Sequence, residues 1–151
     1  MIKGGNKSYF ISTLLVGVQF ACLFFLIATG PVFDFTNYAF LLESFSILLA
    51  LWAFFVMKAS RLNVFPDVLS GAILIRKGPY RIIRHPMYLA VILFALSILF
   101  MFFSGIRLTT FLLLILDLLV KIEYEEKLLE AELEGYKEYK LNSYKLIPLL
   151  Y

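Results

Sequence analysis

Long apolar runs that contain almost no charge dominate this sequence. The first, residues 9–29, is about 21 residues long and has no Asp, Glu, Lys or Arg. A helix needs roughly 20 apolar residues to cross about 30 Å of hydrocarbon. Further runs occupy residues 38–57, 87–103 and 108–120, the last two being short for a full crossing. We therefore expect an all-α, polytopic membrane protein with four transmembrane helices, folded as one domain over residues 1–151.

The composition excludes several other classes of protein. Of the 151 residues 62% are hydrophobic and 17% are charged, whereas soluble domains are about 45–50% apolar and about 25% charged. The high apolar content excludes a disordered chain and a fibre. A disulfide scaffold is excluded because the single Cys22 has no internal partner. One His and one Cys cannot form a usual zinc site, so no metal is expected. The basic residues border the apolar runs, so we expect the lipid bilayer and no nucleic acid as a partner.

The positions of the basic residues predict the orientation in the membrane. Residues 58–86 contain six Lys and Arg residues, the tail 121–151 contains five, and the turn after the third run has only Arg107. Because cytoplasmic segments are enriched in Lys and Arg, we expect both termini and the 58–86 loop to be cytoplasmic. Lys3 and Lys7 before the first run also fit a signal peptide. However, that run is too long and its cleavage site is poor, which favours a retained helix.

The densest polar motif lies at the start of the third run, in residues 78–88. Pro86 is suited to the first position of a helix. Arg84 and His85 would then lie just before a helix N-terminus, where free N–H groups and the positive end of the dipole favour an anion. The arginines alone could serve as snorkelling membrane anchors. That alternative explains the His-Pro-x-Tyr arrangement poorly.

A second polar motif follows the fourth run, where Lys121 precedes several glutamates. Asp117, Lys121 and Glu125 recur every four residues and so share one helix face. The alternative is the solvated start of an exposed helix. A turn signal at residues 104–105 joins the third and fourth runs into a hairpin whose two cytoplasmic ends are neighbours. We therefore expect the Arg-His pair of the first motif to face Glu125 and Glu126.

Two acidic residues lie inside apolar runs. Asp117 is costly there, and we expect it to pair with Lys121 or to reach towards the interface. Glu43 lies near the outer end of the second run, where we expect its side chain to reach the membrane surface. The tail is predicted to begin as a helix that stops or bends at Gly135.

The two motifs, followed by Tyr136, Tyr139 and Ile147-Pro148, resemble the isoprenylcysteine carboxyl methyltransferase family. The broader group includes phospholipid N-methyltransferases. Residues 63–66 and 71–74 are similar to the lead-in of that family. The resemblance extends over about residues 63–151.

The resemblance implies an integral membrane enzyme that uses S-adenosylmethionine without a Rossmann fold. It implies a lipophilic acceptor, whether a carboxylate, an amine or a thiol. Lys121 stands where the family has Arg and loses the bidentate fork that suits a carboxylate. Lys121 and Glu123 are the candidate catalytic residues. The candidate cofactor-binding residues are Ile73, Leu74, Ile75, Tyr80, Arg84, His85, Pro86, Tyr88, Glu125 and Glu126.

Two other functions remain open at this point. One is an NADPH-dependent membrane reductase of the sterol-reductase kind, which is disfavoured by the short chain and by a tail without Cys or Trp. The other is a small non-enzymatic membrane protein in which both motifs are anchors.

Overall fold

The fold is known from a computed structural model that describes residues 6–58 and 74–148. The described residues form helices and no strand, with one isolated bridge between Ile83 and Tyr144, so the all-α prediction is confirmed. Residues 63–66 and 71–73, which include the predicted site residue Ile73, lie outside the described residues. The elements are α1 (Asn6–Thr29), α2 (Ala39–Met57), a 3₁₀ helix (Gly78–Arg81), α3 (Pro86–Met101), α4 (Gly105–Glu132) and α5 (Tyr136–Leu141).

Two of these helices are long and apolar enough to cross a membrane. They are Phe10–Thr29 within α1 and Ala39–Met57, which is α2. The shorter apolar helix Pro86–Met101 contains most of the third predicted run. The fourth run is the first half of α4, whose second half is rich in Glu and Lys. The first two predicted spans therefore coincide with helices that are long and apolar enough to cross a membrane.

The outer surface of the helices carries large aromatic side chains. Phe24 on α1 is 74% exposed, and Phe55 on α2 is 67% exposed. Contiguous apolar surface of this kind is rare on soluble monomers and is typical of a face that contacts lipid. The buried core lies between α1, α3 and α4 and consists of Cys22, Leu26, Ala95, Ile98, Leu99, Phe111, Leu114 and Leu118.

The helices pack in an order that puts the predicted hairpin at the centre. α2 packs on α3, α3 packs on α4, and α1 packs along α4. Arg107, at the start of α4, fixes the far end of this arrangement. Its guanidinium donates to the carbonyl oxygens of Thr29 and Phe102, the latter at 2.9 Å, and lies 4.8 Å from the centre of the Phe102 ring. These bonds satisfy carbonyls at the ends of α1 and α3.

α4 joins two segments that were predicted separately. The fourth run and the start of the tail form one continuous helix of 28 residues. It ends at Glu132, and Gly135 follows with a φ of 78°, which glycine adopts without strain. The predicted stop at Gly135 is therefore confirmed.

The predictions for the side chains of Glu43 and Asp117 were wrong. Glu43 does not reach the surface but is fully buried, because the chain before α2 folds over it and the backbone N–H of Phe33 donates to its Oε2 at 3.0 Å. Asp117 is only 7% exposed and forms no ion pair with Lys121 within 4.0 Å in the described structure. The ammonium of Lys121 bonds instead to Gln19, which α1 brings against this face of α4.

Candidate functional site

The segment that precedes α3 is shaped by a tight turn against α2. Gly78 has a φ of 57°, and a Cβ there would lie 2.9 Å from the Val56 side chain and 3.2 Å from Trp52 Nε1. Glycine is therefore required both by conformation and by space. The turn leads into the 3₁₀ helix, in which Tyr80 is buried and donates its hydroxyl to Met57 Sδ at 3.3 Å. This packing places Arg84 and His85 against the C-terminal half of α4.

Arg84 connects three parts of the chain. Its Nε donates to Glu126 Oε1 at 2.7 Å, and its Nη1 donates to the carbonyl oxygens of Ser143 and Lys140, the latter at 3.0 Å. The backbone N–H of Arg84 also bonds to the carbonyl oxygen of Tyr144 at 2.8 Å. The C-terminal tail is thus paired with the segment that precedes α3. The guanidinium of Arg84 bonds both to the tail and to α4.

His85 lies between two carboxylates. Its Nε2 is 3.3 Å from Glu126 Oε1, and its Nδ1 is 3.7 Å from Glu125 Oε2. The imidazole stacks on the ring of Tyr88, with centroids 5.6 Å apart and planes within 9°. Tyr88 in turn donates its hydroxyl to Glu125 Oε1. The predicted facing of the Arg-His pair and the Glu-Glu pair is therefore confirmed.

The two glutamates differ in their electrostatic surroundings. Burial alone would raise the pKa of Glu126, but hydrogen bonds from His85 and Arg84 and their charges lower it to about 2. The pKa of Glu125 is raised, because its burial outweighs the opposing effects of His85, Tyr88 and Lys121. Glu126 is therefore a fixed anion that organises the cluster, whereas the partly buried Glu125 is harder to ionise than a carboxyl in water.

Lys121 extends the cluster towards α1. Its side chain is 2% exposed, and its Nζ donates to Gln19 Oε1 at 2.9 Å. The same ammonium lies 5.0 Å from the centre of the Tyr88 ring, at a distance where a cation is attracted to the ring face. One network thus runs from Gln19 through Lys121 and Tyr88 to Glu125.

A cavity opens on the other side of Arg84. It has about 360 Å³ of empty space, open solvent at its mouth included. Its wall is mostly apolar, with tyrosine and arginine as the polar members. It is lined by Met57, Leu74, Ile75, Tyr80, Arg84, Leu129, Leu133, Tyr136 and Tyr139.

Residues 38–131 match the model of the isoprenylcysteine carboxyl methyltransferase (ICMT) family. This range is more than half of the chain and includes α2, α3 and nearly all of α4. The chain belongs to the ICMT family. It is therefore a membrane methyltransferase by family. No curated protein and no solved structure matches this sequence.

Most of the predicted site residues of this ICMT-family protein fall into two connected groups. Leu74, Ile75, Tyr80 and Arg84 line the cavity. The polar network behind Arg84 contains the other predicted residues, with Pro86 as the first residue of α3 beneath them. It comprises His85, Tyr88, Lys121, Glu125 and Glu126.

Glu123 lies apart from both groups. Its side chain is 54% exposed and accepts a hydrogen bond from Lys145 Nζ at 2.5 Å. That bond lowers the pKa of the Glu123 carboxyl. The structure therefore does not bring Glu123 to the cavity or to the network, and its catalytic role stays a prediction.

Sequence reasoning missed three members of the site. Gln19 could have been noticed as a polar side chain in an otherwise apolar run, where such residues commonly bond between helices. Tyr136 was seen in the family pattern but was not assigned to the site. Ser143 carries no signal in the sequence, because it contributes a backbone carbonyl oxygen to Arg84.

The lining of the cavity offers apolar surface and a polar group that suit an adenosyl group. Leu129 and Leu133 offer an apolar surface for a flat base. The Tyr136 hydroxyl is buried and lacks a hydrogen-bond partner in the described part of the chain. A buried hydroxyl without a partner is costly, so a ligand that bonds to it gains affinity. The residues present therefore fit the S-adenosylmethionine that the family implies.

Proposed function

We propose that this protein transfers a methyl group from S-adenosylmethionine to a lipophilic acceptor at the cytoplasmic face of a membrane. The proposal rests on one observation in a chain of this family, namely that the cavity and the carboxylate network meet at Arg84. An apolar cavity alone would suit many ligands. A cavity that adjoins a Glu-His-Glu cluster suits one that is apolar at one end and cationic at the other.

When bound, S-adenosylmethionine would supply a methyl group whose carbon a nucleophile attacks in line with the C–S bond, the neutral thioether S-adenosylhomocysteine being the leaving group. No covalent bond to the protein is needed for such a transfer, so the task of the chain is to bind, orient and exclude water. Leu74, Ile75 and Leu129 provide the apolar wall for the adenine, and Tyr136 a hydrogen-bonding group. Glu125 provides negative charge towards the cationic part.

Arg84 and Glu126 hold the shape of this site. Glu126 is 2% exposed and satisfied by Arg84, His85 and Lys140, the last at 3.4 Å. Such a buried and fully partnered pair is suited to fixing geometry. We assign these two residues to positioning the cofactor-binding residues His85 and Glu125.

The acceptor reaches the site from the bilayer in this proposal. The exposed aromatic faces of α1 and α2 contact lipid, and a lipophilic molecule dissolved there needs only lateral movement to approach the helices. Lys121 is the candidate catalytic residue on the side of the network that faces α1. The nucleophile is a carboxylate, an amine or a thiol.

The orientation and the number of spans also belong to the proposal. The six Lys and Arg residues of the 58–86 loop and the five of the tail support a cytoplasmic position for both segments and for the site between them. α3 and the apolar first half of α4 then cross the membrane as the third and fourth spans. Their shortness is met by local thinning of the bilayer.

Equilibrium binding to the detergent-purified full chain tests the proposal. We expect saturable binding of S-adenosylmethionine and none of NADPH. His85→Ala should weaken binding about tenfold or more, while Glu138→Gln, at an exposed side chain of α5, should leave it unchanged. Circular dichroism on each variant confirms that the helices are intact.

Transfer of a labelled methyl group identifies the acceptor. The probes are an S-farnesylcysteine analogue, phosphatidylethanolamine vesicles and a total lipid extract, each incubated with labelled S-adenosylmethionine. Label in the lipid phase supports the proposal and its chemical form names the nucleophile. Binding of NADPH in place of S-adenosylmethionine, or of neither by folded protein, would overturn it.

A further inference from the structure

Gln19 is the single glutamine of the chain and lies on α1, outside the family-matched residues 38–131. It is 9% exposed, and its Oε1 accepts the hydrogen bond from Lys121 Nζ. A polar side chain inside an apolar helix is tolerated when it bonds to a neighbouring helix. Gln19 has such a bond, and its partner is a charged residue of the proposed site.

The bond matters because of what Lys121 would otherwise do. Lys121 and Glu125 are one turn apart on α4, at a spacing where opposite charges normally pair. Among the described residues no ion pair within 4.0 Å joins them. The ammonium is held instead by Gln19 and by the face of the Tyr88 ring. Of the two carboxylates on this face, Glu125 attracts the ammonium more strongly than Asp117 does.

Glu125 therefore has neighbours that neutralise its charge only in part. Tyr88 donates a neutral hydroxyl to one oxygen, and His85 lies 3.7 Å from the other, beyond hydrogen-bond distance. A carboxylate in this state can still accept a cation. If Lys121 turned to it, that capacity would be lost to an internal ion pair.

We propose that Gln19 is a positioning residue that holds the ammonium of Lys121 away from Glu125, so that this carboxylate can receive the cationic part of the cofactor. The inference rests on the proposed function, since it concerns the affinity for S-adenosylmethionine. It assigns a role in the site to α1, which contributes no residue by family resemblance.

Binding to four forms of the full-length protein tests the proposal. They are the wild type, Gln19→Leu, Lys121→Met and the double variant. S-adenosylmethionine is the cationic probe and adenosine the uncharged one. In Gln19→Leu the ammonium loses its acceptor and moves to Glu125. We expect a loss of about tenfold in affinity for S-adenosylmethionine, the effect of one charge-assisted hydrogen bond, and no change for adenosine.

The double variant is the decisive arm. With no ammonium left to compete, Gln19→Leu/Lys121→Met should bind S-adenosylmethionine more tightly than Gln19→Leu does. A matched control is Ser12→Ala, two turns away on the same face of α1, where a buried Oγ has no hydrogen-bond partner in the described chain. It should bind both probes as the wild type does.

Three results would overturn the inference while the proposed function stands. These are unchanged binding by Gln19→Leu, an equal loss for both probes, and failure of the double variant to recover. A wild type that binds no S-adenosylmethionine overturns the proposed function and this inference together. The wild-type measurement therefore separates the two failures.

Discussion

Arg84 Nε lies 2.7 Å from Glu126 Oε1, so the residue two positions before α3 is bonded to the C-terminal part of α4. Both side chains are nearly inaccessible, at 7% and 3%. Because removing one member of a buried pair leaves the other uncompensated, the effect of a single substitution exceeds the net value of the pair. The site is therefore coupled to the stability of the fold.

Substitution of either partner should destabilise the protein. We expect Glu126→Gln to lower the free energy of unfolding by about 3 kcal/mol, because the guanidinium stays buried. Arg84→Lys should cost about 2 kcal/mol, since a lysine cannot reach Glu126 and the tail carbonyls at once. Thermal unfolding in detergent checks both values. Unfolding curves that overlay the wild type for both variants would contradict the role given to the pair.

Acid should weaken the fold through Glu126. Its pKa is lowered to about 2 in the folded protein, against an unperturbed value of about 4.3 for Glu. The stabilisation is therefore complete above the unfolded pKa and is lost as the pH falls from about 4.3 to about 2. Acid titrations of the wild type and Glu126→Gln, followed by circular dichroism, test this. The variant should lose less stability over that interval, and equal losses would exclude Glu126 as the cause.

The contact between the two motifs can be predicted from the sequence, because it follows from local features of the chain. The turn at 104–105 sets a hairpin, Pro86 sets the start of α3, and the glutamates follow the fourth run. Any hairpin of those two helices brings Arg84 near Glu126. The helix type and the first two spans follow from hydropathy alone.

The remaining contacts depend on the register between helices that are distant in sequence. Asp117 and Lys121 have the spacing of a pair, yet the position of α1 gives Lys121 another partner in Gln19. Glu43 has the appearance of an interfacial acid until the chain before α2 folds over it. The tail bonds to Arg84 through the Ser143 backbone, and a backbone oxygen has no signature in sequence.

Two tyrosines of α5 give a matched comparison at the cavity. Tyr136 has a buried hydroxyl without a partner in the described residues, whereas the Tyr139 hydroxyl donates to the carbonyl oxygen of Tyr80 at 2.5 Å. We expect Tyr136→Phe to leave the free energy of unfolding unchanged or slightly raised, and to weaken S-adenosylmethionine binding several-fold. Tyr139→Phe should instead lower stability by about 1 kcal/mol. Thermal unfolding and equilibrium binding on both variants measure the contrast.

Two other results would show that the ligand does not bind beside Tyr136. If Tyr136→Phe binds as tightly as the wild type, its hydroxyl does not meet the ligand. If both variants lose only stability, then the cavity serves packing alone.

Glu123 and Glu125, near the start of the charged part of α4, should separate by function. Glu123 is half exposed and paired with Lys145 at the surface, so Glu123→Ala should change stability by less than about 1 kcal/mol. Glu125→Gln removes a partly buried carboxylate from the network and should weaken S-adenosylmethionine binding about tenfold. Its effect should grow as the pH rises, because the raised pKa of Glu125 means that the wild type gains negative charge, and hence affinity, with rising pH. Binding isotherms at several pH values distinguish the two. The opposite result would be a pH-dependent loss of affinity in Glu123→Ala and no loss in Glu125→Gln. It would mean that the carboxylate that meets the cofactor is Glu123 on the surface of α4 and not Glu125 in the network.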